Sequence, residues 1–186
     1  MGAELPHEGG MTLDTNDLRL VPFTPQQLLA LIERPAQFFE LAGVSADAGM
    51  HVLFTSGEIS PAWLATLRTL EHADPWTLGF AVIDREKQLV VGSAGFKGGP
   101  DAEGVVEIAY GIVPAFEGRG YATQAAQALT AYAGGSGLVS LVIAHTLATS
   151  NASTRVLTKC GFQRTGEFVD PDDGPVWRWE RTERPA

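Results

Sequence analysis

The feature that most restricts the fold is a change of period between residues 105 and 133. VVEIAYGIV (105–113) reads as an apolar strand. Pro114 cannot donate to a strand ladder and ends it. FEGRGYA then turns the chain directly into an Ala- and Gln-rich helix, expected over Thr123 to Ala133. The first amides of such a helix lack intrahelical partners and carry partial positive charge. A phosphate can accept from several of them at once. Gly118 and Gly120 let the backbone approach a ligand with no Cβ in the way, and Thr123 adds a hydroxyl near the first turn. On spacing alone, the same glycines equally suit a tight turn that binds nothing. Neither a Gly-x-x-x-x-Gly-Lys-Ser/Thr loop nor a full Gly-x-Gly-x-x-Gly in a parallel β-α-β unit is present.

Around this segment the pattern predicts one α+β domain over residues 15–182 with a largely antiparallel sheet. Residues 1–14 read as a disordered lead-in and 183–186 as a tail. LRLVPF (18–23) alternates as a first strand. Thr24-Pro25 and Ser60-Pro61 each pair an N-cap with a proline at the first helical position, opening helices over QQLLALIE and AWLATLRTLEHA. AQFFELAG is a further helical piece ending at Gly43. Thr77 to Asp84 and Leu89 to Phe96 read as a hairpin that precedes the 105–113 strand. Leu138 to His145 is an apolar strand, Asn151 to Cys160 a helix capped at Gly161, and 162–169 with 176–181 a closing hairpin.

Composition narrows the function class. The 186 residues carry a formal charge of -9, which argues against nucleic acid, whose phosphates need a basic surface. No apolar run is long enough for a membrane span, and the N-terminus lacks a basic region followed by an apolar stretch, so a cytoplasmic protein is expected. The single cysteine, Cys160, cannot form an internal disulfide, and no Cys/His cluster has metal-ligand spacing, so no metal is expected.

EIAYGIVPAFEGRGYATQAAQAL resembles the coenzyme A-binding motif of the GNAT N-acetyltransferases, Gln/Arg-x-x-Gly-x-Gly/Ala after a strand with an apolar end. Gly120 and Ala122 match its last two fixed positions, while Glu117 departs from the usual Gln or Arg. ASTRVLTKCGF resembles the family's later helix through Ser153, Lys159, Gly161 and Phe162, with the Asn displaced to Asn151. TNDLRLVPFT is similar to the first strand of the branch that acetylates ribosomal-protein N-termini. The resemblance implies a GNAT fold: a single mostly antiparallel sheet of six to seven strands with a splayed central pair, flanked by helices. It implies direct transfer of an acetyl group from acetyl-CoA to a primary amine, on a protein N-terminus or a small molecule. The alternative is a non-catalytic acyl-CoA-binding or sensor domain. A homodimer is admitted, since family members often pair.

The resemblance assigns coenzyme contacts to Ile112, Val113, Glu117, Gly118, Arg119, Gly120, Tyr121, Ala122, Thr123 and Asn151. It places the pantetheine arm between the strand ending at Val113 and LVSLVIAH, with the Val113 amide as oxyanion donor. Glu107 is the first candidate base, with burial expected to raise its pKa, and His145 the second. Relatives often place an acid Tyr where Leu157 stands here; Tyr110 and Cys160 are the remaining groups. Tyr110 equally suits core packing, and Cys160, beside a helix cap with no evident His partner, reads as a buried inert thiol. Phe38, Phe39, Trp63 and Trp76 lie in the region that forms the family's substrate mouth and equally suit the core. Trp177 and Trp179 alternate on one strand face and read as packing residues.

Overall fold

The computed structural model describes residues 11–57, 59–171 and 173–183. Thr24 opens the first helix as its chemistry dictates: its hydroxyl accepts from the Gln27 amide, and the Gln27 side chain accepts from the Thr24 amide. The N-terminal half then carries β1 (Leu13–Asp14), β2 (Leu18–Pro22), α1 (Pro25–Glu33), α2 (Phe38–Ala42), β3 (Ser45–Ala46), α3 (Gly49–Thr55), α4 (Pro61–Thr69) and α5 (Pro75–Leu78). The C-terminal half carries β4 (Phe80–Asp84), β5 (Leu89–Phe96), β6 (Val105–Ile112), α6 (Tyr121–Gly135), β7 (Leu141–Leu147), α7 (Ala152–Lys159), β8 (Gln163–Asp170) and β9 (Gly174–Thr182).

The sheet runs β1-β2-β4-β5-β6-β7-β9-β8, with β3 pairing β5 off this path. Seven of its strands have five or more residues, and β1 and β3 are two-residue additions. All neighbours on the main path are antiparallel except β6 and β7, which run parallel. That pairing covers only Val105 to Glu107 against Leu141 to Ile143. Beyond it β6 stays with β5 as far as Ile112, while β7 stays with β9 as far as Leu147. The central pair therefore splays, as the resemblance implies.

Helix α6 packs along β6, β5 and β2 and buries Ala125, Ala126, Leu129 and Ala133. Its small residues let it lie close to the sheet, and each fully buried Leu or Phe of the core contributes about 1.5–3 kcal/mol. α3 covers the opposite face, where a Cβ added at Gly111 would stand 2.9 Å from Leu53 Cδ1.

Several elements differ from expectation. Thr77 and Leu78 belong to α5, because Asp74 caps a short helix through the Trp76 amide and Pro75 starts it. The strand therefore begins at Phe80, after Gly79 has turned the chain at φ 68°. α3 was not expected: Asp47 accepts from the Gly49 amide and starts a helix with little apolar periodicity. α4 stops at Thr69, since Leu70 is extended. Of the lead-in expected to be disordered, residues 1–10 lie outside the described residues, and Leu13 and Asp14 pair with Leu20 and Arg19 instead. Among the described residues no helix is long and apolar enough to cross a membrane.

Candidate active site

The turn from β6 to α6 is built by glycine conformations that other residues rarely adopt. Gly118 and Gly120 have φ of 73° and 79°. Gly120 is the N-cap, and the first intrahelical bond runs from the Gln124 amide to the Gly120 carbonyl at 3.1 Å. The amides of Tyr121, Ala122 and Thr123 precede that bond and have no carbonyl of their own helix to reach. They open into a cleft of about 560 Å³. Ile112, Glu117, Gly118, Gly120, Tyr121, Ala122 and Thr123 line it.

The far wall is α7, which contributes Ala152, Ser153, Arg155, Val156 and Lys159. Arg155 and Lys159 are four residues apart, so both cations share one helix face. They bring two positive charges to the cleft that Glu117 also lines. In the sequence Lys159 stands out only as a motif match and Arg155 only as part of ASTRVLTKCGF. Their spacing on a predicted helix was the available signal.

Three expected coenzyme residues stand apart from this lining. Arg119 is exposed and its guanidinium lies 4.8 Å over the Phe116 ring. Asn151 is the N-cap of α7, its side-chain oxygen accepting from the Thr154 amide at 3.0 Å. Val113 is fully buried, and its amide donates to the Val91 carbonyl at 2.9 Å. The Val113 N–H is therefore consumed by β5 and is not free to serve as an oxyanion donor. Odd-numbered β6 residues face β5 in this ladder, as the bond from the Lys97 amide to the Glu107 carbonyl also shows. The alternation turns the amides of Ile108, Tyr110 and Ile112 toward the gap left by β7.

A second cleft of about 290 Å³ opens on the α3 side of the sheet. Leu53, Phe54, Leu78 and Phe96 make it apolar, Ser93 and Thr77 give it two hydroxyls, and Ala109, Tyr110 and Gly111 form its floor. It shares Leu53, Tyr110 and Gly111 with the first cleft, so the two meet where β6 leaves β7. Among the described residues no carboxylate side chain lines it.

The structure brings the two candidate bases together. Glu107 Oε1 lies 2.9 Å from His145 Nδ1 and 2.6 Å from Lys97 Nζ. Burial alone would raise the Glu107 pKa, as expected from sequence. The hydrogen bonds and charges of Lys97 and His145 outweigh it and hold the carboxyl below its ordinary value. The raised base is thus corrected to a carboxylate that stays ionised. An ionised carboxylate only accepts, so Nδ1 of His145 carries a proton toward it. Nε2 is buried with no hydrogen-bond partner among the described residues, and the Phe168 ring sits edge-on to the imidazole at 5.0 Å. Glu107 shares its sheet face with Ala109 and Gly111 by alternation, and continuing the Glu107–Ile143 register puts His145 level with Ala109 across the gap.

The chain matches the family model for the acetyltransferase (GNAT) domain over residues 18–163. It belongs to the GNAT acetyltransferase family. Solved structures of similar fold include ribosomal-protein-S5-alanine acetyltransferase from Vibrio fischeri, with TM-score 0.67, 13% identity and 93% of this chain and 97% of that one covered. An acetyltransferase (GNAT family) from Bacillus anthracis gives TM-score 0.64 at 18% identity over 93% and 99% of the two chains. RimL, a ribosomal L7/L12 alpha-N-protein acetyltransferase in complex with coenzyme A, gives TM-score 0.64 at 17% identity over 92% and 98%. No curated protein matches the chain in sequence. Membership makes the protein an N-acetyltransferase.

The remaining expectations for this GNAT chain concern aromatic residues and thiols. Leu157 is buried in the core and offers no proton. Tyr110 lies between the clefts with its hydroxyl buried and short of a well-formed partner. Burial, then the neighbouring Cys160, push its phenol far above the ordinary range, with Ser153 acting weakly against them. Cys160 is buried, burial raises its pKa, and its thiol points to the Thr123 carbonyl, all traits of an inert thiol. Phe38 is core, whereas Phe39 is exposed. Trp63 packs against the core and Trp76 against Phe96 and Tyr132. Trp179 is buried and donates to Thr146, while Trp177 donates to Glu167 under the Arg164 guanidinium. Among the described residues no group of three or more acidic, His or Cys side chains could hold a metal ion.

Proposed function

We propose that this N-acetyltransferase moves the acetyl group of acetyl-CoA to the amine of a neutral acceptor, a polypeptide N-terminus. The observation that carries this reading is the junction of two unlike clefts at Tyr110 and Gly111. One offers free amides and two cations and fits the diphosphate of coenzyme A. The other is apolar and narrow, with no carboxylate on its lining among the described residues, which disfavours a polyamine and suits a terminal amine on an uncharged chain. The fold shared with RimL and the S5-alanine enzyme supports the same choice.

In this reading the amides of Tyr121 to Thr123 and the Arg155 and Lys159 side chains hold the diphosphate. The thioester reaches the gap beside β6, where the Ile112 and Tyr110 amides donate to its oxygen as negative charge develops there. His145 Nε2 takes the proton of the attacking amine, and Glu107, itself held by Lys97, keeps the imidazole in the tautomer that can do so. The amine nitrogen bonds to the carbonyl carbon, the carbon–sulfur bond breaks, and coenzyme A leaves as the thiolate.

A thiol-release assay with acetyl-CoA against N-terminal peptides and a panel of small amines tests this. Turnover with peptides that exceeds turnover with spermidine-like amines is expected. The reverse order would overturn the acceptor assignment. Coenzyme binding without transfer to any acceptor would favour the non-catalytic reading, which the apolar Leu157 keeps in view.

A further inference from the structure

Asp84 ends β4 and is 2% exposed. A carboxylate so placed must be fully paired, or its desolvation destabilises the fold. One oxygen accepts from the Glu86 and Lys87 amides at 3.0 and 2.9 Å, which is enough to explain the turn into β5. The other oxygen accepts from the Tyr121 hydroxyl at 2.8 Å, 37 residues away in sequence. Tyr121 is the first residue of α6 and lines the first cleft.

The turn that carries the free amides has few other supports. A Cβ added at Gly118 or Gly120 would meet nothing within 4 Å, and Glu117 and Arg119 are exposed. Its buried members are Phe116 and Tyr121, whose rings stack at 6.4 Å and 24°, with Arg119 over the Phe116 ring. The far end of the first helical turn is tied through the Gln124 side chain to Thr15 and Asp17, whereas its cleft-facing start rests on the Tyr121 phenol, which ends on Asp84.

We infer that Asp84 is a positioning residue for the coenzyme cradle: through the Tyr121 hydroxyl it fixes the first turn of α6 so that its amides point together at one anion. The inference rests on the reading that this cleft binds the diphosphate of acetyl-CoA. A carboxylate behind an anion site is adverse in charge; what it provides is a strong, directional acceptor. Burial would raise the Asp84 pKa, but the Lys87 amide, the Tyr121 hydroxyl and the Glu86 amide outweigh it and hold it below the ordinary value. Burial, then the bond to Asp84 and its charge, raise the Tyr121 phenol, with Arg119 acting against them. The proton therefore stays on the phenol, and the clamp persists through neutral pH. Preorganising the amides removes an ordering cost that binding would otherwise meet.

The test is calorimetric titration of Tyr121→Phe, Asp84→Asn and the double variant with coenzyme A, beside steady-state kinetics of Asp84→Asn. Each single variant should bind about tenfold more weakly, and the double variant no worse than the weaker single, because both remove one bond. Asp84→Asn should raise KM for acetyl-CoA by a similar factor and change kcat by less than about twofold, since the reacting groups are untouched. Wild-type affinity in Tyr121→Phe, multiplicative losses in the double variant, or a fall in kcat matching the rise in KM would each overturn the inference. Tyr121→Phe removes a single oxygen and keeps the ring stack, so it carries the test alone if Asp84→Asn fails to fold. Failure of the wild-type protein itself to bind coenzyme A would instead overturn the reading beneath it.

Discussion

The two sides of the splayed strand pair are built by different means. On the α6 side the ligand-facing groups are backbone amides, presented by one continuous turn between β6 and α6. On the α3 side the groups proposed to handle the proton are side chains from separate parts of the sheet: Lys97 just after β5, Glu107 in β6 and His145 in β7. Backbone chemistry tolerates substitution of the side chains around it, which is why Glu117 can stand in the cradle. Side-chain chemistry tolerates little, because each group depends on the register of its strand. The first side is suited to gripping a constant ligand and the second to timing a proton.

That contrast can be broken at four places. His145→Ala should cost most, lowering kcat by about a hundredfold or more as a general base is lost. Stopped-flow or steady-state thiol release would measure it, and an unchanged kcat would remove the imidazole from the chemistry. Gly120→Val should come next. A β-branched residue at φ 79° is strained, so the turn must rebuild and its amides scatter. Coenzyme affinity should fall by about a hundredfold, and retained affinity would show that the cradle does not depend on this geometry. Gly111→Ala tests the junction. The new methyl would meet Leu53 Cδ1 at 2.9 Å and push that flexible side chain into the passage between the clefts. About a tenfold loss of kcat/KM for the acceptor is expected with coenzyme affinity kept, and equal losses on both sides would deny two separable clefts.

The smallest effect concerns pH. The folded pKa of Glu107 lies below its unfolded value, so its contacts stabilise the protein above the unfolded carboxylate range and are lost as pH falls through the folded value. The thermal midpoint of Glu107→Gln should therefore trail the wild type at about pH 7 and approach it at about pH 3. A gap that does not narrow would mean that the carboxylate contributes nothing to stability. Lys97 is 60% exposed, so solvent screens this pair and the gap should be a few degrees at most.

Much of the first side was legible in the chain. The strand, the proline, the two glycines and the helix follow one another, and the bonds that define them join residues at most a few positions apart. The caps at Thr24 and Ser60 were equally local, each accepting from an amide three residues on, whereas Asn151, expected to contact the coenzyme, is the N-cap of α7. α3 escaped because Gly49 at its start and its short length give no helical period. α5 escaped because Thr77 and Leu78 continue an apolar run that reads as strand, although Asp74-Pro75 was a start signal. Arg155 and Lys159 came to line the cleft only once α7 was set opposite the β6–α6 turn.

What the amino-acid order determined by itself is the glycine turn from strand to helix, since helix ends and positive φ are settled within a few residues. The tertiary structure alone decided that the Val113 amide is consumed by Val91 while its even-numbered neighbours face the gap. It likewise decided that Glu107 and His145, 38 residues apart, are one unit with Lys97. Both outcomes hang on strand register, and register is a property of the whole sheet: a slip of one residue would turn every one of these groups to the other side.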